Sequence, residues 1–108
     1  MRSPRYDRAK KRLMVRYGLE KPDRMAFTKN ISMTGIHIQT NNVVHPGRLI
    51  QIEIKFPDRT FVLAGRVIWA KRVPFELAHK LHCGMGAQFV DPGEEWETFF
   101  SNWREGKT

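Results

Sequence analysis

The sequence predicts a mainly β domain, in which six short antiparallel strands close into a barrel and one amphipathic helix follows. Two patterns predict this fold. Apolar and polar residues alternate with a period of two through the middle of the chain, as they do in half-buried strands. The last stretch of the chain changes instead to the period of a helix. The 108 residues are enough for one compact domain. Closing the sheet into a barrel removes its unpaired edges.

Six stretches of sequence are predicted to be strands. The clearest is "RLIQIEIKF", in which four apolar residues share one face: Ile50, Ile52, Ile54 and Phe56. The turn-forming "PDR" joins it to "TFVLAGRVIWAK", so the two strands are expected to form a hairpin. In that second strand Trp69 has the phase of the core residues, and Gly65 is expected to mark a bulge or a bend. The other predicted strands are "LMVRY", "RMAFTKNI", "GIHIQT" and "CGMGAQFV".

The C-terminal stretch is predicted to be a helix. Asp91 can cap it, Pro92 suits the first helical position, and Glu94 completes the spacing of a capping box. Arg104 and Gly106 fit its end. The aromatic residues in between repeat at helical spacing and form one apolar stripe, which is expected to pack on the barrel: Trp96, Phe99, Phe100 and Trp103.

Composition limits the classes of function. The chain has 19 Lys and Arg against 11 Asp and Glu, and much of the excess lies in residues 1–24. A basic N-terminal arm on a balanced body favours a phosphate-bearing partner, although a solvated tail has the same composition. The sequence shows no apolar signal-peptide core and no apolar stretch of membrane-spanning length. Because the single Cys83 also fits a reducing compartment, a cytoplasmic protein without membrane insertion is predicted.

Motifs for catalysis and for metal binding are weak or missing. The sequence lacks Gly-x-Ser-x-Gly, a phosphate-binding Gly-Lys-Ser/Thr loop and His-Glu-x-x-His, so we predict that the protein is not an enzyme. "HKLHC" brings His79, His82 and Cys83 close together. In a strand, however, only His79 and Cys83 share a face, which is too few ligands for a closed zinc site. Surface histidines beside a buried thiol are expected instead, and no metal or cofactor is predicted.

The segment "TKNISMTGIHIQ" places Asn30, Ser32 and Gly35 at the spacing Asn-x-Ser-x-x-Gly. Asn30 and Ser32 are two residues apart in a strand-like run. They are therefore expected to present a carboxamide and a hydroxyl together on the outer surface, while Phe27 and Ile31 face the core. Gly35 would let the backbone turn, or let a flat group approach closely. Taken alone, the same pattern is also typical of a plain turn between two strands.

The basic arm supplies a second motif. In "RAKKR", Arg8 and Arg12 are four residues apart, close to the first predicted strand. Guanidinium groups bind phosphate through two parallel hydrogen bonds, and they also stack on guanine or hydrogen-bond to it. An amide and a hydroxyl can bind the edge of a base. Together the two motifs indicate a site on the outside of the barrel for a nucleotide that carries both phosphate and purine.

With these two motifs, the chain resembles the PilZ domain family, bacterial receptors for cyclic di-GMP. In that family an Arg-x-x-x-Arg arm precedes an Asp/Asn-x-Ser-x-x-Gly strand motif. "PGRLIQIEIKFP", "GRVIWAKR" and "GMGAQFV" are similar to further strands of the family, and the resemblance covers about residues 5–104. It implies a six-stranded antiparallel barrel with a C-terminal helix. It also implies a cyclic di-GMP receptor that changes conformation on binding and signals to an unidentified partner protein in trans.

The resemblance also assigns the ligand contacts. Arg8 and Arg12 match the arginines that hold phosphates and guanines. Asn30 and Ser32 match residues that hydrogen-bond the ligand, and Gly35 matches the glycine that shapes the turn. Four more residues are candidate contacts at the margin of the site: Arg5, Lys11, Trp69 and Lys71.

Several alternatives remain open at this stage. Trp69 is either a core residue or a stacking platform. Asp7 replaces an arginine that many family members carry, and it would weaken binding unless it pairs with a neighbouring cation. Residues 1–12 are predicted to be a flexible arm that orders on the ligand, and 13–104 the barrel and helix. The rival functions are a PilZ-like interaction module without nucleotide, and a basic barrel that binds nucleic acid. The latter is not favoured, because no strand shows paired exposed aromatic residues.

Overall fold

The computed structural model of the chain describes residues 12–72 and 83–104. Its strands and helix have these bounds: β1 Met14–Gly18, β2 Arg24–Ile31, β3 Gly35–Gln39, β4 Leu49–Lys55, β5 Thr60–Lys71, β6 Gly84–Val90 and α1 Glu94–Arg104. The strands form one closed antiparallel barrel in the order β1-β2-β3-β6-β5-β4, and β4 pairs back to β1. The predicted fold class is thereby confirmed. The described part of the chain contains no helix long and apolar enough to cross a membrane.

The alternating strands line the inside of the barrel with apolar side chains. β4 and β5 pair without interruption from Leu49↔Arg66 to Lys55↔Thr60, which confirms the hairpin predicted around 57–59. Burial of each large apolar side chain contributes roughly 1.5–3 kcal/mol to folding. Strand residues without any exposed surface come from β1, β2, β3, β4 and β6: Val15, Tyr17, Ile31, Ile38, Ile50, Ile52, Ile54 and Met85.

Helix α1 covers one end of the barrel. Its apolar stripe packs on three phenylalanines that lie where β4 and β6 end and β5 begins, namely Phe56, Phe61 and Phe89. Trp96, Phe99 and Phe100 are buried, and Trp103 is half-buried, as the helical spacing predicts. At the rim, the Arg59 guanidinium lies 4.2 Å above the ring of Phe61 and pairs with Glu95.

The start of α1 differs from the prediction. The helix begins at Glu94, and the carbonyl of Gly93 accepts the hydrogen bond from Glu97 N. Gly93 therefore occupies the capping position that was predicted for Asp91. The physical reason lies in the backbone: Asp91 (φ 48°) and Gly93 (φ 91°) both adopt left-handed conformations, so the right-handed helix can begin only after Gly93.

Two β-bulges interrupt the period of two, and neither lies at Gly65. One lies between Thr28 and Asn30 of β2, and the other between Val67 and Trp69 of β5. Gly65 itself pairs regularly with Ile50 and Phe89, so the predicted bulge at this glycine is wrong. Its missing side chain serves packing instead, because an added Cβ would lie 2.8 Å from Ile52 Cδ1.

Candidate ligand-binding face

The Asn-x-Ser-x-x-Gly segment forms the end of β2, a tight turn and the start of β3. Ser32 Oγ accepts hydrogen bonds from the backbone N of Gly35 (3.1 Å) and of Thr34 (3.3 Å). The backbone N of Ser32 donates to Gly35 O at 2.8 Å. Ser32 is only 2% exposed, so the expected display of its hydroxyl on the outer surface is wrong. The chain has already left the strand at Ser32, and the hydroxyl closes the turn.

The same turn, residues 32–35, is fastened to the rest of the barrel end. Trp96 Nε1 of α1 donates a hydrogen bond to Met33 O at 2.8 Å. Phe89 N of β6 donates to Thr34 O at 2.9 Å. Hydrogen bonds from Ser32, α1 and β6 therefore hold the turn directly beside Asn30.

The bulge in β2 decides which side chains reach the outer face. Phe27 pairs with Gln39 and Thr28 with Ile38, but Asn30 pairs with His37, so Lys29 is the extra residue. Thr28 is consequently buried and Phe27 is half-buried on the outside. The prediction that Phe27 faces the core is wrong, since it assumed an uninterrupted strand. Ile31 lies beyond the bulge and is buried as predicted.

The chain just before β1 is attached to this face by two contacts. Leu13 N donates to Thr28 Oγ1 at 2.9 Å, and Thr28 N donates to Leu13 O at 2.9 Å. The guanidinium of Arg12 then lies over the ring of Phe27, 4.3 Å from its centroid. Arg12 and Asn30 therefore share one outer face, as the site predicted from the two motifs requires.

The Thr28→Val variant is expected to loosen this attachment. Valine has nearly the same shape but offers no acceptor to Leu13 N, and an unsatisfied part-buried donor costs about 1–3 kcal/mol. We expect faster amide exchange at Leu13 and a comparable loss in the free energy of unfolding measured with denaturant. Thr60→Val, at an exposed position of β5, is the control. Unchanged exchange at Leu13 would show that this hydrogen bond does not hold the chain.

An indole lies on the other side of the face. The bulge at Ile68 moves Trp69 out of the core phase, and its side chain is 40% exposed. The indole lies across Gly86, because an added Cβ there would be 2.1 Å from Trp69 Nε1. It meets His37 edge-on at 4.8 Å between ring centroids. Of the two interpretations of Trp69, the core residue is therefore wrong, because the indole is exposed.

Together these residues form a continuous row, which we call the ligand face. Asn30, His37, Gly86 and Trp69 are successive ladder partners across β2, β3, β6 and β5. Three strand spacings separate the ends of the row, about 14 Å. Arg12 lies beside the Asn30 end, over Phe27. The face thus offers a cation, a carboxamide and an indole, and Gly86, which has no side chain, lies between His37 and the indole.

The chain is similar to known proteins in both sequence and fold. Residues 2–98 match the PilZ domain. The chain belongs to the PilZ domain family. Its fold is similar to that of the Bacillus subtilis inhibitor of motility MotI/DgrA, with a TM-score of 0.78 and 15% sequence identity over 99% of this chain and 52% of that one. The chain thus spans about half the length of that protein. None of the curated proteins compared with the chain matches it.

As a PilZ domain, the chain falls in a family of receptor and effector modules for cyclic di-GMP. Of its predicted contacts, Arg12, Asn30 and Trp69 lie on the ligand face, and Lys71 is exposed two residues beyond Trp69. Gly35 is buried in the turn. The remaining predicted contacts and the acidic neighbour lie outside the described residues: Arg5, Asp7, Arg8 and Lys11.

The PilZ domain also contains face residues that the motifs did not indicate. His37 and Gly86 enter the row only because of the strand register, and Phe27 lies outside the barrel beside the row only because of the bulge. Alternation in "GIHIQT" does place His37 on the outside. That Asn30 and Gly86 lie beside it, however, is known only from the pairing of the strands. His79 and His82 lie outside the described residues, and Cys83 is buried. Within the described ranges, no group of three or more His, Cys, Asp or Glu is positioned to hold a metal ion.

Proposed function

We propose that this PilZ domain is a receptor for cyclic di-GMP and that ligand binding changes the surface offered to a partner protein. The observation that carries the proposal is the ligand face, where Arg12, Asn30 and Trp69 lie together on the outside of a PilZ-type barrel. Cyclic di-GMP has two phosphates and two guanines. The face offers a guanidinium that can bind a phosphate, a carboxamide that can hydrogen-bond the edge of a guanine, and an indole on which a guanine can stack.

Each side chain has a distinct role in this proposal. Arg12 binds a phosphate or guanine through charge-assisted hydrogen bonds, joined by Arg8 from the preceding segment. Asn30 hydrogen-bonds the ligand from its fixed place beside the turn. Trp69 stacks on a guanine, a contact worth roughly 1–3 kcal/mol. Arg5, Lys11 and Lys71 extend the basic margin. Ser32 acts indirectly, because its buried hydroxyl holds the turn that positions Asn30.

The signalling step follows from the contacts of Arg12. In the structure its guanidinium lies on Phe27. Binding a phosphate draws it toward the nucleotide, and residues 1–12 follow because they are covalently continuous with it. A partner in the cytoplasm then recognises the rearranged arm together with the covered face. No chemical step is required, since a ligand shifts the population of a receptor through its differential affinity for two arrangements.

Calorimetric titration of cyclic di-GMP into the wild type, Arg12→Ala and Asn30→Ala tests the proposal. Losing a charged hydrogen-bonding group costs about 1.5–3 kcal/mol, so Arg12→Ala should bind 10- to 100-fold more weakly. Asn30→Ala loses a neutral contact of about 1 kcal/mol and should bind about fivefold more weakly. The control is Arg16→Ala, which removes an equal charge from the exposed outer side of β1 and should change affinity less than about twofold.

Three outcomes would contradict the receptor hypothesis. Absence of binding by the wild type would favour an interaction module without nucleotide. Equal losses in Arg12→Ala and Arg16→Ala would mean that general charge, and not the ligand face, holds the nucleotide. Binding of polynucleotide in preference to cyclic di-GMP, with a steep dependence on salt, would favour the nucleic-acid alternative.

A further inference from the structure

A cavity of about 670 Å³ opens at the end of the barrel opposite α1. Its walls are the turn between β1 and β2, the loop between β3 and β4, and Arg72 just after β5. Tyr17 lies at its base, fully buried, and its hydroxyl donates to Asn42 O at 2.7 Å. The Tyr17 hydroxyl also lies 2.7 Å from Thr40 Oγ1. The cavity therefore has an ordered base, and it lies at the opposite end of the barrel from Arg12 and the turn at 32–35.

The rim of this cavity is cationic. Four exposed basic side chains line it, and none of them is in an ion pair within the described residues: Lys21, Arg24, Arg48 and Arg72. Two carboxylates, Glu20 and Asp23, also belong to the lining. The carboxylate of Asp23 lies against Gly18, at the start of the turn between β1 and β2: an added Cβ on Gly18 would be 2.9 Å from Asp23 Oδ1. The cations outnumber the acids, so an anionic occupant is favoured.

The same cavity is also partly apolar. Leu19 and Leu49 are 47% and 48% exposed, and Val43 and Val44 are half-buried in its wall. When a partner covers half-exposed leucines, the free energy of the complex falls by about 25 cal/mol for each Å² of apolar surface that is buried. An apolar centre with a charged rim is the usual anatomy of a protein–protein interface. A phosphate backbone would use the cations and leave the leucines exposed, so polynucleotide is the poorer match.

We propose that this cavity docks an acidic segment of a partner protein. Apolar side chains of the segment pack against Leu19 and Leu49, and its carboxylates meet the four cations of the rim. The partner and a nucleotide on the ligand face use different residues and can bind at the same time. The inference rests on the proposed function in one respect: it gives the partner of the proposed receptor a second contact, at the opposite end of the barrel from Arg12 of the arm. This second contact is tested without nucleotide.

Fluorescence anisotropy with a labelled glutamate-rich peptide that carries a few leucines tests the docking surface. The double variant Arg24→Gln/Arg48→Gln should bind the peptide about tenfold more weakly at low salt, because each rim charge contributes up to about a factor of five. Its control is Arg16→Gln/Lys55→Gln, which removes two exposed cations from the side of the barrel and should change binding less than about twofold. All four positions are exposed, so the variants should keep the unfolding midpoint of the wild type.

A second pair of variants separates apolar docking from mere charge attraction. Leu49→Ser should weaken binding of the same peptide about fivefold, whereas Val62→Ser, which changes an exposed valine on the outside of β5, should not. Equal effects in each pair, or no binding by the wild type, would overturn the proposal. Displacement of the peptide by a single-stranded oligonucleotide of higher affinity would overturn the assignment to a protein segment.

Discussion

Replacing Trp96 by alanine is expected to lower the free energy of unfolding by about 3–5 kcal/mol. Trp96 has no exposed surface and lies where α1 meets the barrel, with the rings of Phe61 and Phe89 at centroid distances of 5.2 and 5.3 Å. Truncation leaves a cavity among aromatic rings that are themselves held by the strands. A domain of this size has a total stability of about 5–15 kcal/mol, so the loss is a large fraction of it.

Trp96→Phe separates packing from hydrogen bonding at the same site. Phenylalanine keeps most of the ring contacts but cannot donate to Met33 O, which we expect to cost about 1–2 kcal/mol. Because Met33 lies in the turn beside Asn30, amide exchange at residues 33–35 should also become faster. Urea unfolding and exchange measured on the same samples give both quantities.

Trp103→Ala is the matched control for Trp96→Ala. Trp103 lies two helical turns after Trp96 in α1 and is half-buried. Its truncation should therefore lower the free energy of unfolding clearly less. A loss at Trp96 no larger than the loss at Trp103 would mean that α1 does not depend on the interior position of Trp96. Unchanged exchange at residues 33–35 in Trp96→Phe would mean that the turn is held without the helix.

The Gly86→Ala variant is expected to displace the Trp69 indole and to reduce the affinity for cyclic di-GMP about tenfold or more. The three atoms nearest to an added Cβ all belong to the indole, at 2.1, 2.6 and 2.8 Å. These distances are too short for any Cβ, so the exposed indole must move rather than the paired backbone. Base stacking on an aromatic ring contributes roughly 1–3 kcal/mol, and that contribution would be lost with the platform.

A double-mutant cycle makes the Gly86 prediction sharp. Trp69→Ala should weaken binding as much as Gly86→Ala does, and the double variant should be no worse than either, since both changes remove the same platform. In the Trp69→Ala background the added methyl group no longer meets an indole, so Gly86→Ala should leave stability unchanged or raise it by about 0.5 kcal/mol. Additive losses of affinity would show that Gly86 acts by another route than Trp69.

The fold could be predicted because each strand shows its buried side locally. The run from Ile50 to Phe56 alternates without error, and burial on one face requires nothing from distant residues. The stripe from Trp96 to Trp103 is equally local. The exact start of α1 was not predictable in this way, because it depends on backbone conformations at Asp91 and Gly93 that many sequences can adopt.

The candidate site was predictable only in part. Motif spacing brought Arg12 and Asn30 to the same face, but one extra residue in β2 and one in β5 reversed the phase at Phe27 and Trp69. A bulge is defined by two residues opposite one on the partner strand, so it cannot be read from either strand alone. Ser32 was misplaced for a related reason. β2 ends at Ile31, and the Ser32 hydroxyl therefore hydrogen-bonds within the turn and does not point outward as a strand residue would.

The closed circuit of strands has a consequence for how this domain can be recognised. Many proteins bind a partner by adding its chain as a new strand to an open sheet edge, a contact that depends little on side chains. Within residues 12–72 and 83–104, β1 pairs with both β2 and β4, so the barrel offers no such edge. Recognition of this part of the chain therefore uses the side chains on the outside of the barrel and at its two ends. Because those side chains can be exchanged without disturbing the interior, the same barrel can acquire or lose partners through a few surface substitutions.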